Sequence, residues 1–92
     1  MDVKEAVSTA KRYVADLFAD ENPTNVGLEE VEFDGSAGAW DVTIGFSRPW
    51  DNPLSAMAYL AHGASQPRSY KVVRIDDATG GVVSLKARES RP

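Results

Sequence analysis

The chain has 92 residues, 42% of them hydrophobic and 26% charged, with a net charge of −4 and no cysteine. This suits one soluble domain with one core. It excludes a disulfide scaffold, a thiolate zinc site and a cysteine nucleophile, and the acidic balance argues against nonspecific nucleic-acid binding. Met1 to Glu5 lacks the basic start and apolar run of a signal peptide, so a cytoplasmic protein without membrane attachment is expected. Charge is unevenly placed. Residues 1–41 hold ten acids and three bases, and residues 42–92 four acids and seven bases. The two halves can pair within the fold as a mixed, solvated surface. Alternatively, Arg68, Lys71, Arg74, Lys86, Arg88 and Arg91 can form a basic face for an acidic partner.

Asp2 and Glu5 have capping-box spacing, three residues apart. Val3, Val7, Ala10, Val14 and Leu17 then recur at helical spacing, with Tyr13 and Phe18 widening the apolar face. A helix over about residues 3–20 is expected, stopped by Asn22-Pro23. Period-two segments follow. Val31 and Phe33 alternate with Glu30, Glu32 and Asp34, and Asp34-Gly-Ser-Ala-Gly38 has turn composition. Trp40, Val42, Ile44 and Phe46 alternate with Asp41, Thr43 and Gly45, the clearest strand pattern in the chain. Further strands are expected at Tyr70–Ile75 and Val82–Ala87, joined by a turn in which Asp77 bonds the backbone and Gly80 is left-handed. Alternation turns Val73 and Ile75 toward the long helix, and Tyr70 and Val72 the other way.

Between the second and third strands, Pro53 to Pro67 carries no charge. Asp51 or Asn52 suits a helix cap with Pro53 in the first turn and Gly63 as the stop. Leu54, Met57, Ala58 and Ala61 would share one face of that short helix. Three uses are open: cover for the sheet face carrying Tyr70 and Val72, a partner-binding or self-association surface, or a small-molecule lid.

The helix, the meander and the run from Tyr70 to Leu85, with Asp76/Asp77, Thr79-Gly80 and Val82-Val83, resemble a PepSY-type domain of the broader cystatin-like group. The resemblance spans residues 3–46 and 69–87, and the final hairpin is its most specific part. It implies a non-catalytic binding or inhibitory module and carries over no catalytic residue. Such domains are typically exported or membrane-attached, and the uncharged segment is an addition to their pattern.

His62 is the single histidine, with no acid near it in sequence, so a triad or metal site has no local signature. It is expected to favour the exposed carbonyls at the end of the short helix or to be an idle surface residue. Glu29, Glu30, Glu32 and Asp34 lack the spacing of a calcium loop and read as a solvated strand face that discourages edge-to-edge aggregation. Turn chemistry accounts for the Asp76–Asp77 pair, and the glycines match neither phosphate-binding fingerprint.

The expected architecture is a single α+β domain over residues 1–92: an N-terminal helix on a four-stranded antiparallel meander. The strands span about 28–33, 39–47, 69–76 and 82–88, and a short helix lies within 48–68. The expected function is that of a non-enzymatic protein-interaction or regulatory module, an inhibitor or immunity-type accessory protein. It needs no cofactor, and it meets a protein partner or a second copy through Trp50, Leu54, Met57, Tyr59 and Leu60. The alternative is a small-ligand binder with its pocket between the uncharged segment and the sheet.

Overall fold

A computed structural model describes residues 1–49 and 68–88. In chain order the elements are helix α1 (Val3–Leu17), a 3-10 turn (Ala19–Glu21), and strands β1 (Thr24–Asp34), β2 (Ala39–Ser47), β3 (Ser69–Asp76) and β4 (Val82–Arg88). The strands form one antiparallel sheet in the order β1-β2-β3-β4, with α1 on one face. This is the expected α+β arrangement. The short helix expected between the second and third strands falls outside the described residues.

The capping box forms as its spacing predicts. The Glu5 N–H donates to Asp2 Oδ1 at 2.8 Å, and the Asp2 N–H donates to Glu5 Oε1 at 2.8 Å. Two of the N–H groups that open the helix are thereby satisfied. Ala6, Ala10 and Val14, four residues apart, are fully buried and give α1 a narrow face that sits close to the sheet.

The helix stops at Leu17, earlier than the expected residue 20. The chain tightens instead into the 3-10 turn, where the Glu21 N–H donates to the Phe18 carbonyl at 2.9 Å and the Asn22 N–H to that of Ala19 at 3.2 Å. Asn22 then takes a left-handed conformation, with φ of 52°, just before Pro23. Tighter bonds at a helix end satisfy carbonyls that a further α-turn would otherwise use.

The core is built on β2. Val42, Ile44 and Phe46 are fully buried on the face toward α1, beside Val73 and Ile75 of β3. Register places Val42 opposite Val73 and Trp40 opposite Ile75, and Val31 opposite Val42. The face assignment of Val73 and Ile75 therefore follows the alternation in sequence.

β1 begins at Thr24, four residues before the expected start at 28. Its first half has register shifts between Thr24 and Gly27 and between Leu28 and Glu30, and Asn25 has φ of 55°. These irregularities break the period-two pattern, so alternation could not reveal that stretch.

The β3–β4 turn differs from expectation in one residue. Asp76, not Asp77, supports it: Asp76 Oδ2 accepts from the Thr79 N–H at 2.9 Å, and the Gly80 N–H donates to the Asp76 carbonyl at 2.8 Å. Gly80 is left-handed as expected, with φ of 74°. A Cβ there would only approach Met1 Cε at 3.6 Å, so the constraint is the backbone angle rather than space. Gly80→Val is expected to lower stability by about 1–2 kcal/mol, read as a fall in the chemical-denaturation midpoint. An unchanged midpoint would remove the left-handed assignment.

Candidate functional site

The face of the sheet opposite α1 carries most of the polar side chains of the strands. The strand pairings set the rows across it. Glu30 lies beside Thr43, Thr43 beside Val72 and Val72 beside Lys86. The next row runs Glu32, Asp41, Arg74 and Ser84. A groove of ≈760 Å³ lies over these rows. One wall is acidic, with Glu30 and Glu32 of β1, and the other is basic, with Lys86 and Arg88 of β4. Thr43 and Val72 contribute to its floor.

Ion pairs cross this face from the C-terminal strands to the N-terminal ones. Arg74 donates from Nε to Asp41 Oδ1 at 2.8 Å and from Nη2 to Asp41 Oδ2 at 2.8 Å, a two-point fork, and Nη2 also reaches Asp34 Oδ2 at 3.0 Å. Planar guanidinium geometry suits that fork. Hydrogen bonds from Arg74 to Asp41 and then Asp34 push the guanidinium pKa up, so it stays charged. Arg88 Nη1 donates to Glu30 Oε1 at 2.5 Å and to Thr43 Oγ1 at 3.2 Å. Arg68 Nη2 donates to the Asn25 carbonyl at 2.9 Å and to Glu29 Oε2 at 3.3 Å. The last pair lies over Gly45, where a Cβ would come within 2.8 Å of Glu29 Oε2 and 2.9 Å of Arg68 Nη2. Gly45 thus leaves the space that the pair fills.

The charge asymmetry of the sequence is therefore used largely inside the fold. It does not make the five described bases of that set one basic face. Arg68, Arg74 and Arg88 are each met by carboxylates. Lys71 lies opposite Ile44 on the α1 side, with Nζ 5.6 Å from the centre of the Phe18 ring. Arg91 lies outside the described residues. Glu29, Glu30 and Asp34, three of the four carboxylates expected to be a solvated strand face, are drawn into these ion pairs. Among the described residues, no ion pair or hydrogen bond engages the side chains of Glu32 and Lys86, which are exposed.

Two carboxylates beside the turns have lowered pKa values, each with a structural cause. The Ser36 hydroxyl, first, then the Ala37 N–H and Arg74 hold Asp34 low. Asp77 is held low chiefly by Trp40, whose Nε1–H donates to Asp77 Oδ1 at 2.9 Å, and then by the N-terminal ammonium. The Asp77 carboxylate thus ties the β3–β4 turn to the start of β2.

A second, apolar groove of ≈510 Å³ runs between α1 and β1. Val3, Val7, Leu28 and Val31 line it, with Lys4 and Lys11 also contributing. Leu28 is 42% exposed and Phe33, its ring tilted against that of Trp40 with centres 5.0 Å apart, is 47% exposed. α1 packs chiefly on β2 and β1 and only slightly on β3.

The residues chosen from sequence for partner binding, Trp50, Leu54, Met57, Tyr59 and Leu60, lie outside the described residues, as does His62. Sequence reasoning missed the groove residues Thr43, Val72, Lys86 and Arg88 as a set. The polar phase of each strand pointed to them, but their meeting depends on register. Among the described residues no three His, Asp or Glu side chains converge in a way suited to a metal ion, and no helix is long and apolar enough to cross a membrane. No family model, curated protein or solved structure matches the chain.

The depressed pKa values set a pH dependence. A carboxylate whose folded pKa lies below its unfolded value near 3.9 adds stability above that value. The contribution is lost as pH falls through the folded pKa. Trp40→Phe removes the indole donor, so the Asp77 carboxyl pKa is expected to rise toward the ordinary range. Carboxyl-detected NMR titration checks this, and a pKa unchanged by the substitution would contradict the assigned cause.

Proposed function

We propose that this chain is a non-catalytic protein-interaction or regulatory module, an inhibitor or immunity-type accessory protein, that meets its partner on the sheet face opposite α1. The observation that carries this reading is the groove over Thr43 and Val72, with an acidic wall on β1 and a basic wall on β4. Glu32 and Lys86 rise from opposite walls and are exposed. A fitting partner offers a basic group to Glu32 and an acidic group to Lys86, on either side of an apolar contact with Val72. Opposed charges of this kind favour one orientation and reject wrong partners more than they add affinity. The resemblance of the hairpin to PepSY-type domains points the same way. Trp50, Leu54, Met57, Tyr59 and Leu60 are proposed as apolar contacts of the same partner, because aromatics and Met are enriched at interfaces. Cytoplasmic localisation belongs to this proposal.

The groove also has the volume of a small-ligand site. A melting temperature raised by a metabolite in a thermal-shift screen would favour that second reading.

The test is capture of a partner from extract of the native host, comparing the wild type with two variants. Val72→Glu places a charge at the groove floor. Deletion of residues 53–67 behind a short Gly/Ser bridge removes most of the uncharged segment. It spares the strand ends, where Phe46 and Ser69 are paired. The same protein should be captured by the wild type and lost with both variants while their folds persist by circular dichroism. Capture unchanged by either alteration would contradict the proposed surface.

A further inference from the structure

β1 and β4 are the two outer strands of the sheet, and among the described residues no strand pairs with the far edge of either. Each therefore presents a row of backbone N–H and C=O groups to whatever lies beside it. The two edges are matched in a way that neither is with itself. Over residues 30–34, β1 has Val31 and Phe33 on the α1 side and Glu30, Glu32 and Asp34 on the open side, as their partners on β2 fix. Over residues 84–88, β4 has Leu85 and Ala87 on the α1 side and Ser84, Lys86 and Arg88 on the open side.

We infer that the β1 edge of one copy receives the β4 edge of a second copy of this chain, continuing the sheet from molecule to molecule. An even number of antiparallel strands makes this geometrically direct. β4 runs opposite to β1, so laying them side by side gives an antiparallel pair with both helices on the same face. Setting Lys86 opposite Glu32 of the neighbouring copy also sets Arg88 opposite Glu30, Leu85 opposite Phe33 and Ala87 opposite Val31. Lys86 and Glu32 then meet on one face, beside Arg88 and Glu30 that already pair within each copy, and apolar side chains meet on the other, pairings that favour adjacent strands.

The packing of α1 supplies a second reason. The helix is offset toward β1 and β2, leaving the Val3, Val7, Leu28 and Val31 groove at one edge. Leu85, at the other edge, is only half-buried. A neighbouring β4 in this register sets Ala87 beside Val31 of that groove, with Leu85 diagonal to it against Phe33.

Like-with-like pairing is disfavoured by the same charges. Two β1 edges would oppose their glutamates, and two β4 edges Lys86 and Arg88. The contact is therefore head-to-tail and does not close as a two-fold dimer. Five residues a side place it among the small, transient interfaces.

Sedimentation equilibrium of the purified chain between about 10 µM and 1 mM tests this without reference to any other partner, at concentrations spanning weak affinities. The average mass should rise with concentration past the dimer, and the rise should shrink as salt is added. Glu32→Lys and Lys86→Glu each alter an exposed side chain without a described ion-pair partner, so each should keep the fold. Each should weaken association about five- to tenfold, and the double variant should recover it to within about twofold of wild type. A monomer across the range, a plateau at dimer, or a double variant as weak as the singles would overturn the inference. These outcomes leave capture of a different protein, and hence the proposed function, to its own test.

Discussion

Val42, Ile44 and Phe46 project from one side of β2 into a site closed by α1, and the rest of the structure depends on that contact. The close approach of the helix follows from Ala6 and Ala10, whose small side chains let its backbone near the strands. Fully burying a large apolar side chain is worth about 1.5–3 kcal/mol, so this row and its β3 neighbours Val73 and Ile75 give the sheet a preferred face. Once that face is fixed, period-two geometry sends Asp41, Thr43 and Gly45 to the other side. Register then assembles the open face from three further strands.

Charge on the open face is organised rather than scattered. Acidic β1 and basic β4 sit at opposite edges, and Arg74 and Arg88 reach inward from the C-terminal strands to carboxylates of the N-terminal ones. Exposed ion pairs contribute little to stability individually, and their effect here is chiefly on position. Arg74 holds Asp41 and Asp34 together near the β1–β2 turn, while Arg88 spans from β4 to Glu30. Glu32 and Lys86 stand outside these pairs, and both the proposed partner and the proposed self-association make use of them.

Much of the fold was legible because the relevant signals are local. The capping box needs only Asp2 and Glu5, and the strand β2 announces itself through strict alternation from Trp40 to Phe46. Gly80 marks its turn because few other residues tolerate a positive φ there. The misreadings have equally physical sources. The early part of β1 is hidden by its register shifts and by left-handed Asn25. Asp76 and Asp77 are adjacent and chemically alike, and the Trp40 indole and the N-terminal ammonium hold Asp77 away from the turn. The groove was illegible for a stronger reason. Glu30, Thr43, Val72 and Lys86 lie far apart in sequence and become one row only through three separate strand pairings.

β2 and β3 form the closed centre of the sheet, and β1 and β4 are its two edges. Amide hydrogen exchange measured on the purified chain at low and high protein concentration tests this residue by residue. Amides of Val42, Ile44 and Val73 should exchange slowly at both concentrations. The amides that point outward from residues 30–34 and 84–88 should exchange quickly when dilute and slow down when concentrated. Fast exchange at the centre, or edges whose exchange is unchanged by concentration, would contradict the account.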